Sequence, residues 1–177
     1  DVQQVVELLP NEDLALAVKA NLAVLSSADE QVELLEQTVT QRVKLRPQFS
    51  FLKTVPGIGE ILALTIMLET GDIRRFLSVG NYASYCRCVG SQKISNGKKK
   101  GQGNTKNGNK YLSWAFVEAA HFAIRFNAKI KSFYQRKKAK TKGVVAIKAV
   151  AHKLCRACYY IMRDRVAFDV TKAFGQK

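Results

Sequence analysis

The chain has 177 residues, 47% of them hydrophobic, which suits one domain, or one domain with an appendage, around a real core. Its formal net charge is +15 and unevenly placed: residues 1–50 carry eight acids and four bases, and residues 51–177 carry the other 25 bases and six acids. No apolar run approaches the ~20 residues of a membrane-spanning helix and no signal peptide is visible, so the basic part points to a polyanion, and to nucleic acid before membrane. No acid lies between Asp72 and Glu118, or between Glu118 and Asp164. The first residue is Asp1 rather than Met, which fits a fragment or a processed chain.

Residues 11–50 read as helix. Pro10 and Asn11 can start it. Leu14, Val18, Asn21, Leu25, Ala28, Val32, Leu35 and Val39 alternate four and three apart, the spacing of a coiled-coil seam. Asn21 at a seam position would fix register at some cost in stability. Ser27 and Glu30 form a capping-box pattern, so the spacing predicts a break near Ser26 and two helices. The expectation for residues 1–48 is a protruding helical arm or dimerisation element. The alternative is two helices packed on their own domain.

Residues 46–76 read as helix, tight turn, helix. Pro56 stops the first helix. Gly57 and Gly59 permit a turn closed to other residues and bare backbone N–H groups where the next helix begins, and such a terminus attracts phosphate. The Val55–Gly59 spacing resembles the helix-hairpin-helix motif, a sequence-independent binder of the DNA backbone. The alternative is a hairpin used only for packing. Glu60 would repel phosphate if it pointed inward, so it is expected to point out.

Gly71 to Phe76 closes the second helix, and 81–85 is expected to be a short helix. Cys86 to Ile94 has mixed preferences, with a short strand or an irregular segment as the options. Ser95 to Lys110 has four glycines and five lysines among its polar residues, with no apolar side chain, and reads as a long basic loop that wraps a phosphate backbone. A solvated linker is the alternative. Tyr111 to Phe133 reads as one helix, with Leu112, Phe116, Ala119, Ala120, Ala123 and Phe126 or Asn127 recurring on a face, and Trp114 and His121 seven apart on another. A lone helical histidine is a core or surface residue before it is a catalyst or ligand. Arg136 to Lys142 reads as a basic connector. Val144 to Arg163 is a second apolar helix, with Val144, Ile147, Ala151, Leu154, Cys155, Cys158, Ile161 and Met162 as its buried side. Lys148, His152, Arg156 and Arg163 form a basic stripe. Phe168 and Phe174 are candidate docking residues in the tail.

The four cysteines, Cys86, Cys88, Cys155 and Cys158, offer a CxC and a CxxC. Zinc is one reading. Buried free thiols are the simpler one, because Cys155 and Cys158 lie in an apolar helix.

No Walker loop, GxSxG, HExxH or carboxylate cluster for a two-metal nuclease is present. A hydroxyl nucleophile remains. Serine can attack a phosphodiester when cations stabilise the phosphorane. Ser95 follows Lys93 and precedes Lys98, Lys99 and Lys100; Ser91 and Ser113 compete with it.

The ordered set Thr54-Val-Pro-Gly-Ile-Gly59, Gly71-Asp-Ile-Arg-Arg-Phe76, Ser95-Asn-Gly-Lys98 and Gly103-Asn-Thr-Lys-Asn-Gly-Asn-Lys-Tyr-Leu112 resembles the C-terminal domain of IS110/IS116/IS902-type transposases. The resemblance covers roughly 50–165, and the preceding helices are similar to that family's coiled-coil segment. Asn96 stands where the family often has Gly or Ser. The resemblance implies a serine-dependent DNA transposase or recombinase, with Ser95 as nucleophile and a structured guide RNA. It also implies an RuvC-like N-terminal domain whose acids bind Mg2+. That domain has no counterpart in these residues, so no cofactor is expected here, and this fragment alone is expected to be inactive.

The expected fold is mainly α: a helical arm or coiled coil (1–48), then a compact α-helical domain (49–177) with a helix-hairpin-helix and a long basic Gly/Asn/Lys loop. Expected nucleic-acid contacts are Gly57, Ile58, Gly59, Lys93, Lys98, Lys99, Lys100, Lys106 and Lys110. Expected partners are DNA, guide RNA and further copies of the chain, in a bacterial, nucleoid-associated, cytoplasmic setting. The alternatives are a non-catalytic helix-hairpin-helix DNA-binding module and an RNA-associated basic protein.

Overall fold

The computed structural model describes residues 11–44, 46–90, 92–102 and 107–175, with backbone only at Lys44, Gln92, Lys93, Ile94, Lys99 and Gln102. The fold is mainly α. The chain divides into two compact units, Asp1–Val43 and Lys44–Lys177.

Among the described residues, the first unit is one helix, α1 (Glu12–Lys44), of 33 residues. Asn11 caps it: its Oδ1 accepts from Asp13 N at 2.8 Å and Leu14 N at 3.2 Å. Glu12 and Asp13 then sit in the first turn, where carboxylates favour the helix dipole. At about 1.5 Å per residue the helix is ~50 Å long. The expected break near Ser26 does not occur. A serine inside a helix costs only about half a kcal/mol, so the capping-box pattern at Ser27 is overruled by helix formers on both sides. Leu14, Leu25, Val32 and Leu35 of the seam are exposed, and so are Leu16, Val24 and Leu34.

The second unit is built around α7 (Gly143–Asp164). Helices α2 (Pro47–Leu52), α4 (Val79–Tyr85), α5 (Lys110–Phe126) and α6 (Ala128–Lys138) pack on it, as do α8 (Val170–Phe174) and the 3-10 turn Ile73–Arg75, while α3 (Glu60–Thr70) packs on α5. The buried face of α7 is Ala146, Val150, Ala151, Leu154, Cys155, Cys158, Tyr159, Ile161 and Met162. Each fully buried Leu or Ile side chain in such a core stabilises by roughly 1.5–3 kcal/mol. Val144, expected inside, lies in the first turn and is 67% exposed. The helix stops at Arg165, whose left-handed backbone (φ 55°) donates its N–H to Ile161 O at 2.9 Å.

Ala115, Ala119, Ala120 and Ala123 give α5 a fully buried face of small side chains, so neighbouring backbones can approach it closely. The single helix expected over 111–133 is two. Asn127 leaves helical geometry (φ −128°, ψ 117°) and its side chain accepts from Ile130 N at 3.1 Å, capping α6. The first part of the expected basic connector is also helix: Arg136, Lys137 and Lys138 form the last turn of α6, where cations favour the dipole. The polar core is small and satisfied. Thr70 and Tyr82, both fully buried, share a hydroxyl–hydroxyl bond of 2.9 Å. Phe174 is buried edge-to-face on Phe133, and Phe168 N donates to Thr54 Oγ1 at 2.8 Å, so the tail is tied down as expected.

The expected long loop is partly a β-hairpin. Strands β1 (Gln92–Ser95) and β2 (Lys98–Gln102) pair antiparallel around Asn96-Gly97. Both turn residues have positive φ, 51° and 70°, which Asn-Gly accepts in the tight turn that matches strand twist. A shift of register between Lys93 and Ile94 gives the hairpin a bulge.

Candidate nucleic-acid interface

The 53–60 turn is set by packing first. Gly57 has φ +87°, and a Cβ there would run into the Ala119 carbonyl oxygen and stand 2.7 Å from Ala123 N on α5. Only glycine fits on both counts. Val55 and Ile58 are buried, so Ile58, an expected contact residue, turns its side chain into the core. Gly59 differs: a Cβ there meets nothing within 4 Å. It is the N-cap of α3 and carries no side-chain cap, so the first-turn N–H groups of that helix are left to solvent or a ligand. Glu60 is exposed, as expected.

Beside this turn lies an open groove of about 730 Å³, lined in part by Ile61, Trp114, Glu118, Phe122 and Phe126. Phe122 and Phe126 stack with their planes 3° apart. Sequence reasoning missed this surface. The signal was the spacing of Trp114, Phe122 and Phe126, eight and four apart, an aromatic strip along the edge of the alanine face.

The hairpin presents Ser95 and Lys98 as a cross-strand pair. Directly opposed residues share a face with Cβ atoms roughly 5 Å apart. Both are exposed, as is Lys100. Lys93 and Lys99 are placed by backbone alone, one on each strand, and Lys106 lies outside the described residues, as does Ser91. Ser113 is half-buried on α5, which suits packing.

The end of the basic stretch is structural. A Cβ at Gly108 (φ +95°) would overlap the Tyr85 carbonyl oxygen. Arg87 Nε and Nη2 donate to Gly108 O at 3.1 and 2.8 Å. Asn109 caps α5 by accepting from Tyr111 N and Leu112 N at 2.8 and 2.9 Å. Its Nδ2 donates to Glu69 Oε2 at 2.6 Å. Lys110 begins α5 with its ammonium 4.9 Å from the Tyr111 ring centroid.

Elsewhere the basic stripe on α7 is uneven. Lys148 and Arg156 are exposed, but Arg163 is paired with Asp164 at 2.6 Å. His152 is half-buried, and burial, with Arg156 and Lys153 adding to it, lowers its pKa. His121 is exposed on α5. Among the described residues no group of three or more His, Cys, Asp or Glu is arranged to hold a metal. Cys86, Cys155 and Cys158 are buried free thiols. Burial raises Cys155 well above the ordinary thiol value, with the Cys86 and Cys88 thiols adding to it, and burial raises Cys158. Cys155 and Cys158 stay protonated near neutrality, and all three act as small hydrophobes.

The fold and this surface define a class: a basic, mainly α domain with an uncapped helix start at a glycine turn and a lysine-rich hairpin that holds out a serine. Residues 50–135, which span both features, match the family model described as Transposase IS116/IS110/IS902 family. It is similar to the insertion element IS110 43.6 kDa protein of Streptomyces coelicolor, 22% identical over 88% of this chain and 39% of that protein. It is also similar to the insertion element IS116 44.8 kDa protein of Streptomyces clavuligerus, 22% identical over 94% of this chain and 42% of that one. A third relative is the transposase for insertion sequence element IS1328 of Yersinia enterocolitica, 24% identical over 79% of this chain and 43% of that protein. The chain thus spans about two fifths of the length of the curated relatives it matches. No described helix is long and apolar enough to cross a membrane.

Proposed function

We propose that this chain is the C-terminal part of a serine-dependent DNA transposase, with Ser95 as the nucleophile. The observation that carries the reading is the position of Ser95: exposed, opposite Lys98, on a hairpin inside the 50–135 transposase match. Ser95 Oγ forms a bond to a DNA phosphorus, the phosphorus–oxygen bond to one sugar breaks, and the departing sugar oxygen takes up the proton that the serine loses. Lys98 and Lys100 offset the charge on the phosphorane. Lys93, Lys99, Lys106, Lys110 and the Gly59 end of α3 extend the contact along the backbone of DNA or of a structured guide RNA. Mg2+, held by the acids of an RuvC-like domain outside these residues, would lower the cost of charge build-up at the phosphate. The α1 seam would join copies of the chain.

The test is Ser95→Ala in the full-length transposase. Strand exchange should fall to background while nucleic-acid binding stays near that of the parent. Recombination at the parental rate would remove Ser95 from the chemistry. The uncapped start of α3 also suits a non-catalytic helix-hairpin-helix binder. A covalent protein–DNA adduct mapped to Ser95 separates the two readings, because the binder forms none.

A further inference from the structure

The Gly71–Phe76 segment has no role in the function proposed above, and its two arginines are held in different ways. Arg74 is committed internally. Its Nε and Nη2 donate to the Asp72 carboxylate at 3.0–3.2 Å, and this pairing holds the Asp72 pKa below its ordinary value. Arg75 forms no ion pair with a carboxylate among the described residues. Its Nε donates to Thr70 O at 3.1 Å. Its guanidinium carbon lies 4.4 Å from the Phe76 ring centroid and 4.7 Å from that of Tyr85, and the two rings are 5.2 Å apart. Arg75 is nevertheless exposed.

A guanidinium has more N–H donors than one carbonyl uses. Two rings and a carbonyl fix its plane before any ligand arrives, so little rotamer freedom is left to lose on binding. The Tyr85 hydroxyl meets Asn109 Nδ2 at 3.4 Å, and hydrogen bonds from Asn109 and Arg75 hold its pKa below the ordinary tyrosine value. Glu69, the carboxylate of this cluster, accepts the Asn109 amide at 2.6 Å. Asn109 also caps α5, and Gly108 is packed on the Tyr85 carbonyl, so the cluster belongs to the root of the segment that carries the hairpin.

We propose that Arg75 is a preorganised contact to a DNA phosphodiester, its guanidinium fork presented by Phe76 and Tyr85. The inference rests on the DNA-binding reading above. It adds a site separate from the glycine turn and the lysines of the hairpin.

The experiment is the salt dependence of binding of the 177-residue chain to a plain DNA duplex, by fluorescence anisotropy. Arg75→Gln should lower the slope of log affinity against log salt by about 0.9, the value of one B-DNA phosphate contact, and weaken binding roughly tenfold. Its melting temperature should fall by no more than a few degrees. Arg74→Gln should keep the parental slope, since its charge is already paired. A parental slope for Arg75→Gln, or an equal loss for both variants, overturns the proposal. Arg75→Lys serves if the glutamine variant does not fold: it should keep the slope and bind several-fold more weakly, and parental affinity would overturn the fork. A loss of slope seen with an RNA duplex and not with DNA overturns the DNA assignment. Absence of salt-dependent binding by the parent chain sinks the DNA-binding reading itself, whereas a parental slope that Arg75→Gln leaves unchanged sinks this inference alone.

Discussion

Gly57 and Gly59 are two residues apart and are glycine for different reasons. Gly57 is a packing glycine, with positive φ and α5 directly against it. Gly57→Ala should cost roughly 2–4 kcal/mol, through backbone strain and overlap with a helix backbone that cannot yield. Gly59 has open space on its outer side and heads α3. Gly59→Asp places a carboxylate at a helix N-cap, which stabilises by about 0.3–1 kcal/mol through the dipole and the bare N–H groups. It also places a negative charge where a phosphate oxygen would sit. The melting temperature should hold or rise while DNA affinity falls. Both are read from thermal melts and anisotropy on one preparation, and unchanged affinity would take this turn out of the interface. The sequence showed the two glycines as one motif. Only the position of α5 separates them, and that contact joins residues more than sixty apart in the chain.

Local rules did well for elements with one unbroken pattern and less well for those with competing signals. α3 and α7 fall where apolar spacing put them, and α4 takes in the short helix expected at 81–85. The Asn127 break was hidden because the apolar spacing continues past it, although Asn is itself a capping residue. Ser27 gave the opposite error, a capping pattern inside an unbroken helix. The basic stretch misled through composition. Lysine and glycine are poor strand formers, yet Asn96-Gly97 is the strongest short signal for a hairpin. The hairpin therefore depends on its turn, and a prediction belongs here. Gly97→Ala, at φ 70°, should loosen the turn and raise amide exchange over residues 94–99. Transposition by the full-length protein should fall at least tenfold, because Ser95 loses its register with Lys98. The melting of the helical core should barely change, since Ser95, Lys98 and Lys100 are exposed. Parental activity with a loosened hairpin would show that the register of Ser95 does not matter to the reaction.

On the scale of the whole molecule, acidic and basic charge are separated between two units of different character. The unit Lys44–Lys177 buries a core of its own and carries most of the positive charge. The unit Asp1–Val43 has the reverse problem. A lone helix of 33 residues with valines and threonines in its second half has a weak claim to stability in water. Leu14, Leu25, Val32 and Leu35 are 49–63% exposed along one seam, and burying a leucine is worth roughly 1.5–3 kcal/mol. A second copy of the same helix offers the same seam, and Asn21 can pair with its own equivalent to set the register. The chain should therefore sediment above monomer mass at micromolar concentration. Leu25→Glu with Leu35→Glu should return it to monomer and reduce helical circular dichroism by about the share that the arm contributes, with the melting of the other unit unchanged. If the parent chain sediments as a monomer and keeps the full helical signal, the arm is stable without a second copy and the seam has another partner.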